Sequence, residues 1–263
     1  MKPCTKILAV LAAFLLGAAD TGLAGNRQLS LNSSDTITPV IELYTSEGCS
    51  SCPRADNFLS ELGATIDQKF RAVPLAFHVD YWNRLGWRDP FSKAAYTERQ
   101  RFLADVNAQR SMYTPELLVS GKEVRGGMEI VERVNAANRQ ESRVDIRLDI
   151  EREQAGRVRA KIAFDNMAGE TDVEVHVAIF ENGIVRHIKG GENKGRTLTH
   201  NYLVRHWSDP MLLAKGKSTK RLTLAIGSDW QRANLGMAVV VVNSRNGETL
   251  QALSTSLGKL FSG

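Results

Sequence analysis

The sequence predicts an α/β domain followed by an all-β, sandwich-like domain. Three observations predict it. Up to about residue 140, short apolar runs alternate with segments whose apolar residues fall on one helical face. After about Glu141 the period changes to two, with Val144, Ile146, Leu148 and Ile150 alternating with charged residues. Finally, a Cys-x-x-Cys pair, Cys49-Ser50-Ser51-Cys52, stands where the first apolar run gives way to a helical pattern.

The chain has 263 residues, a length that suits one large domain or two modest ones. A hydrophobic share of 43% and a charged share of 24% suit a globular protein with a buried core. The formal net charge is +5, but basic and acidic residues are interspersed. That pattern is a solvated surface and gives no basic patch for nucleic acid.

The first 24 residues form an expected secretory signal peptide. Lys2 and Lys6 give a positive start, Ile7 to Ala19 an apolar stretch, and Gly22-Leu23-Ala24 a small-x-small cleavage site. The apolar stretch is short for a membrane span. Export to the bacterial periplasm or secretion is therefore expected. Cys4 would leave with that peptide, so Cys49 and Cys52 would be the remaining cysteines. One close pair is no disulfide framework, and a bridge closing so short a loop stabilises little.

Residues 25–37 are polar and read as a leader into a domain spanning 25–141. Val40 to Tyr44 is an apolar run that predicts a buried strand. Phe58, Leu59 and Leu62 then share one face of a helix running from Pro53 to about Lys69. Pro53 suits an early helical position, where its missing N–H would have had no partner. The first cysteine thus lies at a helix N-terminus, where free N–H groups and the dipole favour a thiolate. Ala72 to Val79 predicts a second strand. An aromatic loop, Asp80 to Phe91, follows, then a polar helix from Ser92 to Arg110. Tyr113-Thr114-Pro115 leads into a strand, a tight Ser120-Gly121-Lys122 turn and a returning strand. Gly127 to Gln140 is the last helix of this half.

The second domain is expected over 142–263. Val158 to Phe164, Val173 to Ile179 and Leu222 to Ile226 repeat the alternation, and Met237 to Val242 is a continuous apolar run. Glu181-Asn182-Gly183 and Arg245-Asn246-Gly247 are turn signals. Together they predict a small sandwich.

Cys-x-x-Cys at a strand-to-helix turn, Thr114-Pro115 entering a later hairpin strand, and β-α-β-α-β-β-α order together resemble the thioredoxin superfamily over about residues 38–140. The fold class expected is thus an α/β thioredoxin-like domain followed by an all-β sandwich-like domain. The resemblance implies that Cys49 is the attacking thiol and Cys52 the resolving thiol. It also implies that Pro115 is cis and faces the dithiol, freeing the Thr114 backbone to pair with an extended substrate.

A sharper resemblance is to a family of uncharacterised exported bacterial proteins with a thioredoxin-like first domain and a β-rich second one. It rests on Glu42 to Pro53, His78-Val79-Asp80-Tyr81-Trp82, Gly86 to Phe91, Tyr113-Thr114-Pro115 and Gly190 to Leu198. One departure from thioredoxins concerns the dipeptide between the cysteines, which there usually contains Gly-Pro and here is Ser50-Ser51. Two hydroxyls beside the thiolate would stabilise it and make the couple more oxidising.

The function expected is an extracytoplasmic thiol-disulfide oxidoreductase acting on protein or small-molecule thiols and disulfides; a membrane electron-transfer protein is among the expected partners and nucleic acid is not. Two alternatives stay open: a Cu(I) carrier using both thiolates, and a redox-inactive binding module. Trp82 and Trp87 are expected to form an apolar rim beside the thiols, contributing with Thr114 and Pro115 to substrate binding. Glu42 is open to two readings, a buried acid moving protons for the resolving thiol or a solvated edge residue. His78 and Asp80 read as a hydrogen-bonded pair fixing the loop. As metal ligands they lack a third partner at recognisable spacing, so no metal or other cofactor is expected. His176, His187, His200 and His206 read as ordinary histidines. Gly190 to Arg196 reads as a loop touching the other domain, since no helix signature follows it for a phosphate loop.

Overall fold

The computed structural model describes residues 28–66, 68–154, 156–167 and 172–262. The expected signal peptide lies outside the described residues. Among the described residues no helix is long and apolar enough to cross a membrane.

The first half runs β1 (Gln28–Asn32), β2 (Val40–Thr45), α1 (Cys52–Gly63), β3 (Val73–His78), α2 (Ala94–Val106), β4 (Glu116–Val119), β5 (Lys122–Val124) and α3 (Gly127–Asn138). The second runs β6 (Val144–Glu153), β7 (Arg157–Asn166), β8 (Val173–Glu181), β9 (Ile184–His187), β10 (Thr197–His200), β11 (Leu203–Trp207), β12 (Met211–Leu212), β13 (Gly216–Ala225), β14 (Leu235–Asn243), β15 (Thr249–Ser256) and the short α4 (Gly258–Phe261).

The expected fold class, an α/β thioredoxin-like domain followed by an all-β sandwich-like domain, is overturned. Among the described residues strands make up 43% and helices 19%. A nine-stranded sheet runs through both halves in the order β15-β14-β8-β11-β3-β2-β4-β5, with β12 paired to β8. The joint is β11, which lies parallel to β3 at Leu203 and Ala76 and antiparallel to β8. Every residue of β3 is buried: β2 and β11 pair with its edges, Leu75 and Phe77 enter the core on one face and Ala76 the core on the other. Period-two alternation shows which face of a strand is apolar; it carries no information about the strand lying alongside.

The polar stretch expected as a leader also contributes a strand. β1 pairs antiparallel with β6 from Gln28–Glu151 to Asn32–Arg147. It edges a four-stranded sheet of order β1-β6-β7-β13. The inner residues of that sheet, among them Ile146, Leu148, Val158 and Ile162, pack on Val175, Val177, Met237 and Val239 of β8 and β14. On the other face of β8 and β14, Ala178, Phe180, Ala238 and Val240 share a core with Tyr44, Phe77 and Tyr96. β14 is therefore covered on both faces, which is why its sequence is a continuous apolar run.

The first-half helices occupy both faces of the large sheet. Ile41 and Leu43 point to the side where Leu59 of α1 and Ile130 of α3 pack. Tyr44 points the other way, with Leu103 of α2. This alternation decides which side chains can reach the cysteines.

Candidate functional site

β2 ends at Thr45, the chain turns through Ser46 to Ser51, and α1 begins at Cys52 with Pro53 in its first turn. Cys49 and Cys52 form a disulfide, with Cα atoms 5.4 Å apart. Both cysteines are fully buried, while Ser50 and Ser51 are exposed. Cys49 Sγ lies 3.3 Å from Ser51 Oγ and 3.8 Å from the carbonyl oxygen of Thr114. The Thr114–Pro115 peptide is cis. Trp82 Nε1–H donates to Thr114 Oγ1 at 2.7 Å, fixing the indole beside that segment. Trp87 donates its Nε1–H to Glu47 Oε2 at 2.8 Å. The structure thus places Cys49, Cys52, Thr114, Pro115, Trp82 and Trp87 around one turn.

Glu42 is elsewhere. It is buried, so the solvated reading does not hold. Its carboxylate accepts two hydrogen bonds from Arg99 of α2, each 2.8 Å, and one from Tyr44 at 2.7 Å. It lies on the α2 face of the sheet. The buried acid on the α1 face is Asp56, which accepts from Thr45 Oγ1 at 3.1 Å.

The expected pairing of His78 with Asp80 is also corrected. Asp80 accepts from Thr97 Oγ1 at 2.6 Å. His78 Nδ1 instead meets Asp89 Oδ2 at 2.7 Å, and the same oxygen accepts from the Glu47 backbone N–H at 2.8 Å. His78 is the last residue of β3, and residues 80–91 double back so that Asp89 returns beneath it. Burial alone would lower the His78 pKa, but the charge of Asp89 and its hydrogen bond outweigh this and raise it. Asp89 moves oppositely: burial would raise its pKa, yet His78 and two backbone N–H groups bring it below the usual carboxylate range. Asp56 has burial as its dominant influence and its pKa is raised.

The second half of the chain completes the site. His200 of β10 is buried and directs Nε2 to Glu47 Oε1 at 3.3 Å. Arg186 of β9 pairs with the same oxygen at 3.4 Å. Between β9 and β10, the loop of residues 190–196 clamps the cysteine turn. Glu192 Oε2 accepts from the Ser50 N–H at 2.9 Å, and Asn193 Nδ2 donates to the carbonyls of Glu47 and Cys49 at 2.9 and 2.8 Å. Arg196 Nη1 reaches the Ser50 carbonyl at 3.4 Å. Glycine is required for so close an approach: a Cβ on Gly190 would lie 2.5 Å from the Gly86 carbonyl oxygen, and Gly191 has φ +66°.

Asn193 is fully buried and its amide serves two carbonyls. Asn193→Ala is expected to cost about 1–3 kcal/mol, the penalty of stranding buried acceptors. Asn193→Asp should be at least as damaging, since it sets an acceptor against two acceptors. Urea unfolding of the three proteins checks this, and a loss below about 0.5 kcal/mol for both variants would mean that water takes over the amide's role.

Glu47, Asp56, Asp89, Glu192, Asn193 and His200 were not singled out as site residues from the sequence. The Gly190–Leu198 motif was the available signal for the clamp. For the others there was none, because their partners are distant in sequence.

Three comparisons bear on this arrangement. A comparison with curated proteins gives no match. Among solved structures, a structural-genomics target from Agrobacterium tumefaciens is similar at 25% identity and TM-score 0.60, over 86% of this chain and 96% of that one. HBP35 of Porphyromonas gingivalis is similar in fold at 15% identity and TM-score 0.63, over 86% of this chain and 76% of its own. The family model described as a protein of unknown function (DUF1223) matches residues 40–242, which include the cysteine turn, the His78–Asp89 loop and the clamp, and the chain belongs to that family.

Proposed function

We propose that the protein is an extracytoplasmic thiol-disulfide oxidoreductase whose redox couple is Cys49–Cys52. The observation that carries this reading is the bonded pair at the α1 N-terminus, with Cys49 Sγ facing the Thr114 carbonyl. A partner thiolate attacks Cys49 Sγ, the Cys49–Cys52 bond breaks, and Cys52 departs as a thiolate that takes up a proton. The partner's second thiolate then attacks the mixed disulfide. It forms the partner's disulfide and expels Cys49, so two electrons pass to the protein. The reverse sequence reduces a partner disulfide.

The surroundings support an attacking role for Cys49. In the reduced state its thiolate gains from the free N–H groups of α1 and from the Ser51 hydroxyl. Substrate pairs its backbone with the Thr114 segment, and Trp82 holds that segment in place. Both sulfurs are buried, so docking displaces the groups that cover them.

Cys52→Ala is expected to accumulate a mixed disulfide with a partner protein through Cys49, and Cys49→Ala is not. Trapping in the exported fraction, read on non-reducing gels with and without dithiothreitol, checks the assignment. Equal trapping by both variants, or by neither, sinks it; stoichiometric Cu(I) uptake by the reduced wild type in that case would make the pair a copper carrier instead.

A further inference from the structure

Beside the disulfide lies a second constellation that the redox reading does not use. Asp56 of α1, His78 at the end of β3 and His200 of β10 are all buried. Among the described residues they form a group in which one ring nitrogen of each histidine and one carboxylate oxygen lie within 4.8 Å of one another.

The hydrogen bonds settle which nitrogens are available. Each histidine has one nitrogen engaged by a buried carboxylate: His78 Nδ1 by Asp89, and His200 Nε2 by Glu47. Their remaining nitrogens, His78 Nε2 and His200 Nδ1, are buried with no hydrogen-bond partner. Two such orphaned nitrogens at 1% and 2% residue exposure are costly unless something occupies the space between the rings. Those rings meet edge to face with centroids 4.9 Å apart.

Charge points the same way. Glu47, Asp56 and Asp89 are three buried carboxylates within this small volume. Among the described residues Arg186 pairs with Glu47 at 3.4 Å, and no arginine or lysine pairs with Asp56 or Asp89. Buried charges are balanced by pairing or by metal coordination. Carboxylates on the far nitrogens of ligating histidines are the usual outer partners of a metal site; they fix the ring and raise its basicity.

We propose that His78 Nε2, His200 Nδ1 and an Asp56 carboxylate oxygen bind a divalent first-row transition ion of the zinc class, for which two imidazoles and one carboxylate are a fitting donor set. The ion replaces any proton on His78 Nε2 and draws the donors together from their present spacing. Asp56 also lines a cleft of about 380 Å³ with Pro53, Asn57, Arg196 and Thr199, which supplies a route from solvent. The ion ties α1 and β3 to β10 and so joins the two halves of the chain beneath the cysteine turn. Glu47 and Asp89 take the positioning roles.

The test uses the full exported chain, metal-stripped and with its disulfide intact, at neutral pH. Zn²⁺ is titrated against a chromophoric chelator, and Co²⁺ is added separately to read the coordination sphere. One ion per chain is expected, with cobalt bands in the visible region and no thiolate-to-metal charge transfer. His200→Ala and the near-isosteric Asp56→Asn should each weaken zinc binding by more than about 100-fold. Asp89→Asn should weaken it by about 10–100-fold, as outer partners do. Circular dichroism and melts establish that the variants are folded, and zinc should raise the melting temperature of wild type but not of Asp56→Asn. The paired variant Cys49→Ser with Cys52→Ser should bind zinc as wild type does, which separates this site from the dithiol and makes the result independent of the redox reading. Absence of stoichiometric zinc binding to wild type overturns the proposal. So does binding that survives Asp56→Asn and His200→Ala, or that is lost with the cysteines.

Discussion

Arg99→Ala is expected to lower the unfolding free energy by about 3–5 kcal/mol, the cost of leaving a buried charge without its partner. Arg99 and Glu42 are joined by two parallel hydrogen bonds of 2.8 Å, and their side chains are 9% and 2% exposed. With the guanidinium gone, Glu42 retains the Tyr44 hydroxyl and, among the described residues, has lost its ion-pair partner. The substitution also removes a cation from the Trp207 ring, which lies 4.7 Å from the guanidinium carbon. A loss of this size is a large part of the roughly 5–15 kcal/mol that holds a typical fold. Joint replacement by Arg99→Met and Glu42→Leu should recover most of it, because a packed apolar pair carries no desolvation penalty. Chemical denaturation of the single and double variants checks both statements. If Arg99→Ala costs less than about 1 kcal/mol, the pair behaves as an exposed one and water reaches Glu42.

That ion pair also marks where sequence reading stops. Glu42 could be placed on a strand and α2 on a helix, because both facts are local. Their meeting spans 57 residues and depends on α2 packing on the Tyr44 face of the sheet. The cysteine turn was legible for the opposite reason: strand, turn, Cys-x-x-Cys and Pro53 are contiguous, and the helix start follows from them. Thr114-Pro115 was legible through its place ahead of a hairpin. The His78 partner was misread because Asp80 is two residues away, while the residue that pairs with it is Asp89, brought back by the loop.

The fold class failed at a similar point. Each strand of the second half was visible from alternation or from an apolar run, yet nothing in Leu203 to Trp207 announces that it adds to β3. That one parallel pairing carries the large sheet from the first half of the chain into the second. The Gly190–Arg196 clamp and His200 sit at the site for the same reason, since β9, β10 and β11 are carried to the edge of β3 together.

Acid should destabilise the protein through His176, by about 3 kcal/mol between neutral pH and pH about 4. Burial pushes the imidazole down to about 4, with the Arg99 charge adding to the shift. The ring stacks on Trp207 at 4.6 Å, and Nδ1–H donates to the Ser208 carbonyl at 3.2 Å. Glu174 faces Nε2 at 3.9 Å, and Glu42 and Asp209 are also near, but their attraction does not offset burial. The sign follows from linkage. In the unfolded chain the histidine takes up a proton below about pH 6.5, while in the folded protein it stays neutral until about 4. The unfolded state therefore binds more protons in that window, and stability falls as pH drops through it; below about 4 the contribution is flat. His176→Gln keeps a planar donor for Ser208 and removes the titration. Urea unfolding at pH about 7.5 and about 4 should show wild type losing roughly 3 kcal/mol more than the variant, other titrating groups being common to both. An equal loss in the two proteins would mean that His176 takes up its proton over the same pH range folded as unfolded, so that burial does not depress it.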